Sequence, residues 1–213
     1  MFEAIENPVH SARIKVIGVG GGGNNAVESM ISGNLENVDF IIANTDSKSI
    51  RASKAQTRLQ IGIQLTKGLG SGTRPEVGRE SALESRSQLV EVLKGADLVF
   101  IAAGMGGGTG TGAAPIIAEL AREAGILTVG IVTKPFAYEG KVKTEIATKG
   151  INELKKYVDS LIVISNDRLI SQASKGMLLF DAFKPADDGV GQFSKPIDNF
   201  QGRNNLIVHL FRA

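Results

Sequence analysis

Between Gly104 and Gly112 the chain reads GMGGGTGTG, with six glycines and two threonines in nine positions. Glycine is costly to order, so a run this dense must serve a purpose. An apolar stretch of strand length, ADLVFIAA, precedes it. A helically spaced stretch follows, with Ile116, Ile117, Leu120 and Ala121 at core spacing and Gly125 at the C-terminal stop. Strand, glycine turn and helix form the local context of a phosphate-binding loop. Backbone N–H groups of the turn and of the helix N-terminus converge on an anion there, and side chains would block its approach. A strand-to-helix turn without a ligand usually needs one or two glycines.

Two more glycine loops lie at 18–23 and 68–72. Gly18-Val-Gly20-Gly-Gly-Gly23 formally fits GxGxxG, and Asp46 follows beyond the next strand. Alone, this fingerprint implies an NAD-dependent Rossmann oxidoreductase. A run of glycines satisfies almost any glycine pattern, however, and the fingerprint leaves the other two loops without a role. A dinucleotide offers one pyrophosphate, and three convergent loops suit a triphosphate better. No G-x-x-x-x-G-K-[ST] is present, so this is not a Walker-type site.

The elements that must hold these loops follow from the apolar pattern. Strands are expected at 13–19, 38–44, 57–63, 97–103, 127–133 and 160–165. A short helix, 26–32, follows the GGGGNN loop and stops at Gly33. Pro75 suits the first turn of a long helix running to Gly95. Residues 139–159 carry a looser helical face. Strands that alternate with helices and are continuously apolar give an α/β fold: a Rossmann-like parallel sheet with helices on both faces. Ligands on such sheets bind at the carboxyl ends of the strands, where all three loops would gather.

Composition narrows the partners. The chain has 213 residues, 42% hydrophobic and 22% charged, with 26 glycines against roughly 15 at average usage. A net charge of +2 gives no argument for nucleic acid or an acidic membrane surface. With no cysteine and two distant histidines, neither a disulfide framework nor a thiolate or histidine metal site is expected. No signal-peptide core and no apolar run of membrane-spanning length is visible, so a cytoplasmic protein without direct membrane insertion is expected.

GGGTGTG (106–112) resembles the tubulin signature. IKVIGVGGGGNNAV (14–27), NTD (44–46), KGLGSGTRPEVGRE (67–80), GILTVGIVTKPFAYEGK (125–141), VDSLIVISNDRL (158–169) and LLFDAF (178–183) resemble the FtsZ branch of that family, in order and spacing. The resemblance runs from about Arg13 to Asp188. It leaves 1–12 as an N-terminal extension, 13–188 as a GTP-binding domain and 189–213 as a divergent tail. It implies a tubulin/FtsZ-type GTPase that binds GTP or GDP with Mg2+. It also implies a filament-forming cell division protein at the division site, which associates with itself, with full-length FtsZ-like subunits and with other division proteins.

The resemblance also implies roles. Gly20, Gly21, Gly22, Gly23, Asn24 and Asn25 would wrap the phosphates from one side, and Gly106, Gly107, Gly108, Thr109, Gly110 and Thr111 from the other. Asn44 and Asp46 would lie near the phosphates and the magnesium hydration shell. The 68–76 loop, including Gly72, would sense the terminal phosphate. Thr133 and Glu139 would face the ribose, with Lys143 beside them. Asn166 and either Asp187 or Asp188 would read guanine, whose N1–H and 2-amino group form a donor pair that adenine lacks. Read without the resemblance, Glu139 suits a helix N-terminus, Asn166 and Asp167 suit a cap, and the aspartate pair suits a solvated turn.

Three departures from the family pattern matter. Lys143 stands where the family has arginine, keeping the charge but losing the planar fork. The family's Gly-Ala-Asn-Pro-Glu is here Gly72-Thr-Arg-Pro-Glu76, which puts a cation, Arg74, near the expected terminal phosphate. Beyond Asp188, Gly189, Gly191, Pro196 and Gly202 disfavour the family's long central helix. The family's acidic loop, which polarises the attacking water across a head-to-tail contact, has no counterpart in this sequence. No catalytic residue is therefore assigned, and a non-catalytic GTP-binding or filament-capping module is the alternative.

Overall fold

The computed structural model describes residues 12–33 and 37–167. Six parallel strands form one sheet in the order β3-β2-β1-β4-β5-β6. They are β1 (Ile14–Val19), β2 (Val38–Asn44), β3 (Thr57–Gln60), β4 (Leu98–Gly104), β5 (Leu127–Lys134) and β6 (Ser160–Ser165). The helices are α1 (Gly20–Ser32), α2 (Ser47–Ala52), α3 (Ile63–Thr66), α4 (Pro75–Glu84), α5 (Arg86–Leu93), α6 (Thr109–Glu123) and α7 (Lys141–Leu154). A 3-10 turn, Ala137–Glu139, precedes α7.

The strands are apolar on both sides because both sides are covered. Ile17 pairs with Ile41 and Ile101 across the centre of the sheet. These three bury against one face with Leu89 and Leu93 of α5, Ile117 and Leu120 of α6, and Leu154 of α7. Val16, Phe40, Ile42 and Phe100 point the other way and bury with Ala26, Val27 and Met30 of α1. Each fully buried side chain of this size contributes about 1.5–3 kcal/mol, so the central strands anchor the loops that follow them.

Four expectations need correction. The glycines at 20–23 are not a loop ahead of a short helix; they are the first turn of α1. A Cβ at Gly23 would lie 2.3 Å from the Ala102 carbonyl oxygen, and one at Gly22 would lie 3.0 Å from the Gly104 Cα. Bare backbone is needed because this turn lies directly on β4. The long helix from Pro75 is two helices, broken at Ser85, whose hydroxyl accepts from the Gly62 N–H at 3.1 Å. The third strand ends at Gln60 and gives way to α3, because Gly62 takes the left-handed conformation (φ 66). The helix expected over 139–159 is α7 alone, Lys141–Leu154.

Among the described residues, no helix is long and apolar enough to cross a membrane. None of their His, Asp and Glu side chains gather in threes to hold a metal ion.

Candidate functional site

A cavity of about 510 Å³ opens at the carboxyl edge of the sheet, over the ends of β1, β4, β5 and β6. Its floor is built from the first turns of α1 and α6. These helix starts meet: a Cβ at Gly20 would lie 2.9 Å from the Gly110 backbone nitrogen. Neither helix has a side-chain cap at its N-terminus. Two sets of first-turn N–H groups thus converge on one space without local side-chain acceptors. Gly21, Gly72 and Gly107 line that space, and a Cβ at any of them would meet no atom within 4 Å. Such a Cβ would stand in the cavity.

The loop between β4 and α6 is held in shape by hydroxyls. Thr111 Oγ1 accepts from the Gly106 N–H at 2.9 Å. The Thr109 hydroxyl, on the lining, is 2.7 Å from the Thr45 hydroxyl and 2.7 Å from the Ser71 hydroxyl. All three residues are buried. The Gly108 N–H donates to the Gly72 carbonyl at 2.8 Å, tying the 68–76 loop to the same turn.

The other end of the cavity is lined by Thr133 of β5, Phe136, Tyr138, Glu139, Lys143 and Asn166. Glu139 accepts from the Phe136 N–H at 2.8 Å and pairs with Lys143 at 2.9 Å. Among the described lining residues Lys143 is the only cation and Glu139 the only carboxylate. The Phe136 and Tyr138 rings stack with centroids 5.0 Å apart. Asn166 follows β6, and its buried Oδ1 has no partner among the described residues. The next residue, Asp167, accepts from the Ala137 N–H at 3.0 Å, fixing the end of β6 against the 3-10 turn.

The structure thus brings Gly21, Gly22, Gly72, Gly106, Gly107, Gly108, Thr109, Gly110, Thr133, Glu139, Lys143 and Asn166 onto one cavity wall. Gly20 and Gly23 lie against α6 and β4, beneath the floor. Asn24 is 5% exposed, and neither polar atom of its side chain has a partner among the described residues. Asn25 and Thr111 lie off the wall. Asn44 accepts from the Thr45 and Asp46 N–H groups. Asp46 caps α2, accepting from the Lys48 N–H at 2.9 Å and the Ser49 hydroxyl at 2.9 Å. These two contacts hold its carboxyl below the usual aspartate range. Asp187 and Asp188 lie outside the described residues.

Sequence reasoning missed Thr45 and Ser71, the partners of Thr109, and the ring pair of Phe136 and Tyr138. A serine inside a glycine loop was the one available signal for Ser71. Nothing in the sequence links Thr45 to a residue 64 positions away.

The match to known proteins covers this same region. Residues 13–174 fit the model of the Tubulin/FtsZ family, GTPase domain. The chain belongs to the tubulin/FtsZ family. The cell division protein FtsZ of Pseudomonas aeruginosa is 53% identical over 207 residues, covering 97% of this chain and 52% of that protein. Its Coxiella burnetii counterpart is 54% identical over 188 residues, covering 88% of this chain and 49% of that protein. Among solved structures, an empty FtsZ dimer of M. jannaschii superposes with a TM-score of 0.82 at 41% identity, covering 85% of this chain and 53% of that one. The chain therefore spans about half the length of the curated relatives it matches. Membership of the tubulin/FtsZ family leaves the oxidoreductase reading without support. Asp46, which that reading needs at a ribose, has both carboxylate oxygens engaged at the start of α2.

Proposed function

We propose that the cavity binds GTP and GDP, with Mg2+, and that the chain serves a filament-forming division GTPase of the FtsZ type. The observation that carries this reading is the glycine floor at two uncapped helix starts, where the absence of any Cβ leaves room for a phosphate chain. Guanine lies at the β6 end, where the unpartnered Asn166 Oδ1 suits a donor on the base. The sugar lies beside Glu139 and Lys143. The phosphates cross α1 and α6, and the terminal one approaches Gly72. A described lining with one cation and one carboxylate suits a triphosphate that brings a cation. Mg2+ offsets phosphate charge and is held mainly by phosphate oxygens and water. Asn44 and Asp46 stand close to its hydration shell, as in the family pattern.

Thermal unfolding with GTP, GDP, ATP or NAD, each with Mg2+, tests the binding. A ligand of the native state alone adds RT ln(1 + [L]/Kd), about 2.7 kcal/mol at a hundredfold excess over Kd. The expected result is a rise in Tm with GTP and GDP only. A cooperative transition that moves with none of them would remove the nucleotide site.

Hydrolysis is a separate question. Glu139, the one carboxylate on the wall among the described residues, stands at the sugar end and is engaged by Phe136 and Lys143. A carboxylate that activates water contributes about 10² to 10⁴ in rate. In our reading it comes from the next subunit, so turnover requires head-to-tail assembly at the division site. With no carboxylate among the described wall residues left free to activate water, a second reading is that this chain alone binds GTP and caps filaments without turning it over. Turnover by the purified chain that rises with its concentration would exclude that second reading. Shortening of full-length FtsZ filaments at sub-stoichiometric ratios would support it.

A further inference from the structure

Arg74 sits where helix stability gives no reason for it. It is the N-cap residue of α4, with extended backbone (φ −107, ψ 97) and no side-chain cap bond. N-cap positions favour Ser, Thr, Asp and Asn, whose oxygens accept from the first-turn N–H groups, and a guanidinium offers no acceptor. A cation there also opposes the helix dipole. The side chain is exposed and has no ion pair or hydrogen bond among the described residues.

The backbone of Arg74 is nevertheless fixed. Its N–H donates to the Ser71 carbonyl at 3.2 Å, and its carbonyl accepts from the Gly78 N–H at 3.3 Å. The turn it closes is docked on the phosphate loop through the Gly108–Gly72 bond at 2.8 Å and the Ser71–Thr109 hydroxyl contact at 2.7 Å. A Cβ at Gly108 would lie 2.8 Å from the Arg74 carbonyl oxygen, so this residue abuts the cavity wall. The wall's own cation, Lys143, is at the opposite end and already paired with Glu139.

We infer that Arg74 is a specificity-determining residue that pairs with the terminal phosphate and favours triphosphate over diphosphate; the inference rests on the nucleotide reading above. Strand order supports the direction. Asn166 follows the edge strand β6, whereas Ser71 and Gly72 of the 68–76 loop pack on the Gly108–Thr109 turn that follows β4, two strands further in. A nucleotide with its base at Asn166 therefore presents its last phosphate to this turn. The planar guanidinium matches two phosphate oxygens at once, which an ammonium cannot do.

Equilibrium titration of the full chain with a non-hydrolysable GTP analogue and with GDP, both with Mg2+, tests this on wild type, Arg74→Asn and Arg74→Lys. Arg74→Asn supplies a better cap, so Tm should not fall. Its affinity for the triphosphate should drop about tenfold, with GDP affinity unchanged. Arg74→Lys should fall between. An unchanged triphosphate-to-diphosphate ratio in Arg74→Asn, whether both affinities hold or both fall together, overturns the inference and leaves the nucleotide site standing. A wild-type chain that binds neither nucleotide overturns both.

Discussion

The Thr109 hydroxyl lies 2.7 Å from the Ser71 hydroxyl, across a sequence separation of 38 residues. Thr45 approaches the same oxygen from a third loop, also at 2.7 Å. A hydroxyl has one proton to donate and two lone pairs to accept with. If Thr109 donates to a phosphate, it must accept from both neighbours. Ligand binding would then fix the proton direction of the whole cluster and join three loops at one atom.

Replacing Thr109 by Val should therefore cost more than a surface hydroxyl would. Thr45 and Ser71 are buried and would lose their shared partner, at about 1–3 kcal/mol for an unsatisfied group. Thermal unfolding should show that loss, and GTP titration should show weaker binding. Thr109→Ser keeps the oxygen and should behave nearly as wild type. A T109V chain that melts and binds normally would mean the cluster is incidental.

Two glycines of one helical turn should respond in opposite ways to alanine. At Gly21 a Cβ meets nothing within 4 Å and the residue is helical, so Gly21→Ala should leave stability unchanged or raise it by up to about 1 kcal/mol. The new methyl stands in the phosphate cradle, so GTP affinity should collapse. At Gly23 a Cβ would sit 2.3 Å from the Ala102 carbonyl, and Gly23→Ala should lower Tm whether or not nucleotide is present. Paired melting curves with and without GTP separate the two effects.

The strands were legible because a doubly covered parallel strand is apolar along its length, as in Leu98–Gly104. The phosphate loop was legible because its glycine density exceeds what a turn needs. The start of α1 was not. Glycine reads as loop in any local scale, whereas here the first turn is fixed by its contact with β4, which no local pattern carries. The break at Ser85 was hidden for the same reason, since its hydroxyl serves the Gly62 N–H across 23 residues. For Asp46 the sequence points toward the ligand and carries no sign of the cap of α2 that the structure adds. Lys143 is legible as a departure from the family, whereas its pairing with Glu139 depends on the 3-10 turn that presents Glu139 to it.

That pairing should matter for the ligand and hardly at all for the fold. An i,i+4 pair at a partly exposed helix start is worth about 0.3–0.5 kcal/mol, so Lys143→Ala should scarcely change Tm. It would leave Glu139 as an uncompensated charge on the wall of an anion site, and GTP affinity should fall. Lys143→Arg keeps the pair and supplies the planar fork, so affinity should hold or rise. Unchanged GTP affinity in Lys143→Ala would place the lysine outside the site.

Asp46 offers a test by pH. The Lys48 N–H first, and the Ser49 hydroxyl next, favour its charged form and hold the carboxyl below the ordinary value of 3.8. The folded state therefore binds this proton more weakly than the unfolded chain does. The resulting stability is complete above the unfolded value and is lost as pH falls through the lower folded one. Asp46→Asn keeps a capping oxygen and cannot titrate, whereas Asp46→Ala removes the cap at about 1 kcal/mol. The stability difference between wild type and Asp46→Asn should be flat near neutrality and move in favour of Asp46→Asn only below about pH 4. If Asp46 also stands by the magnesium hydration shell, Asp46→Asn should lose Mg2+-dependent GTP affinity at neutral pH while its Tm without nucleotide stays in place. Intact affinity in that variant would confine Asp46 to the helix cap.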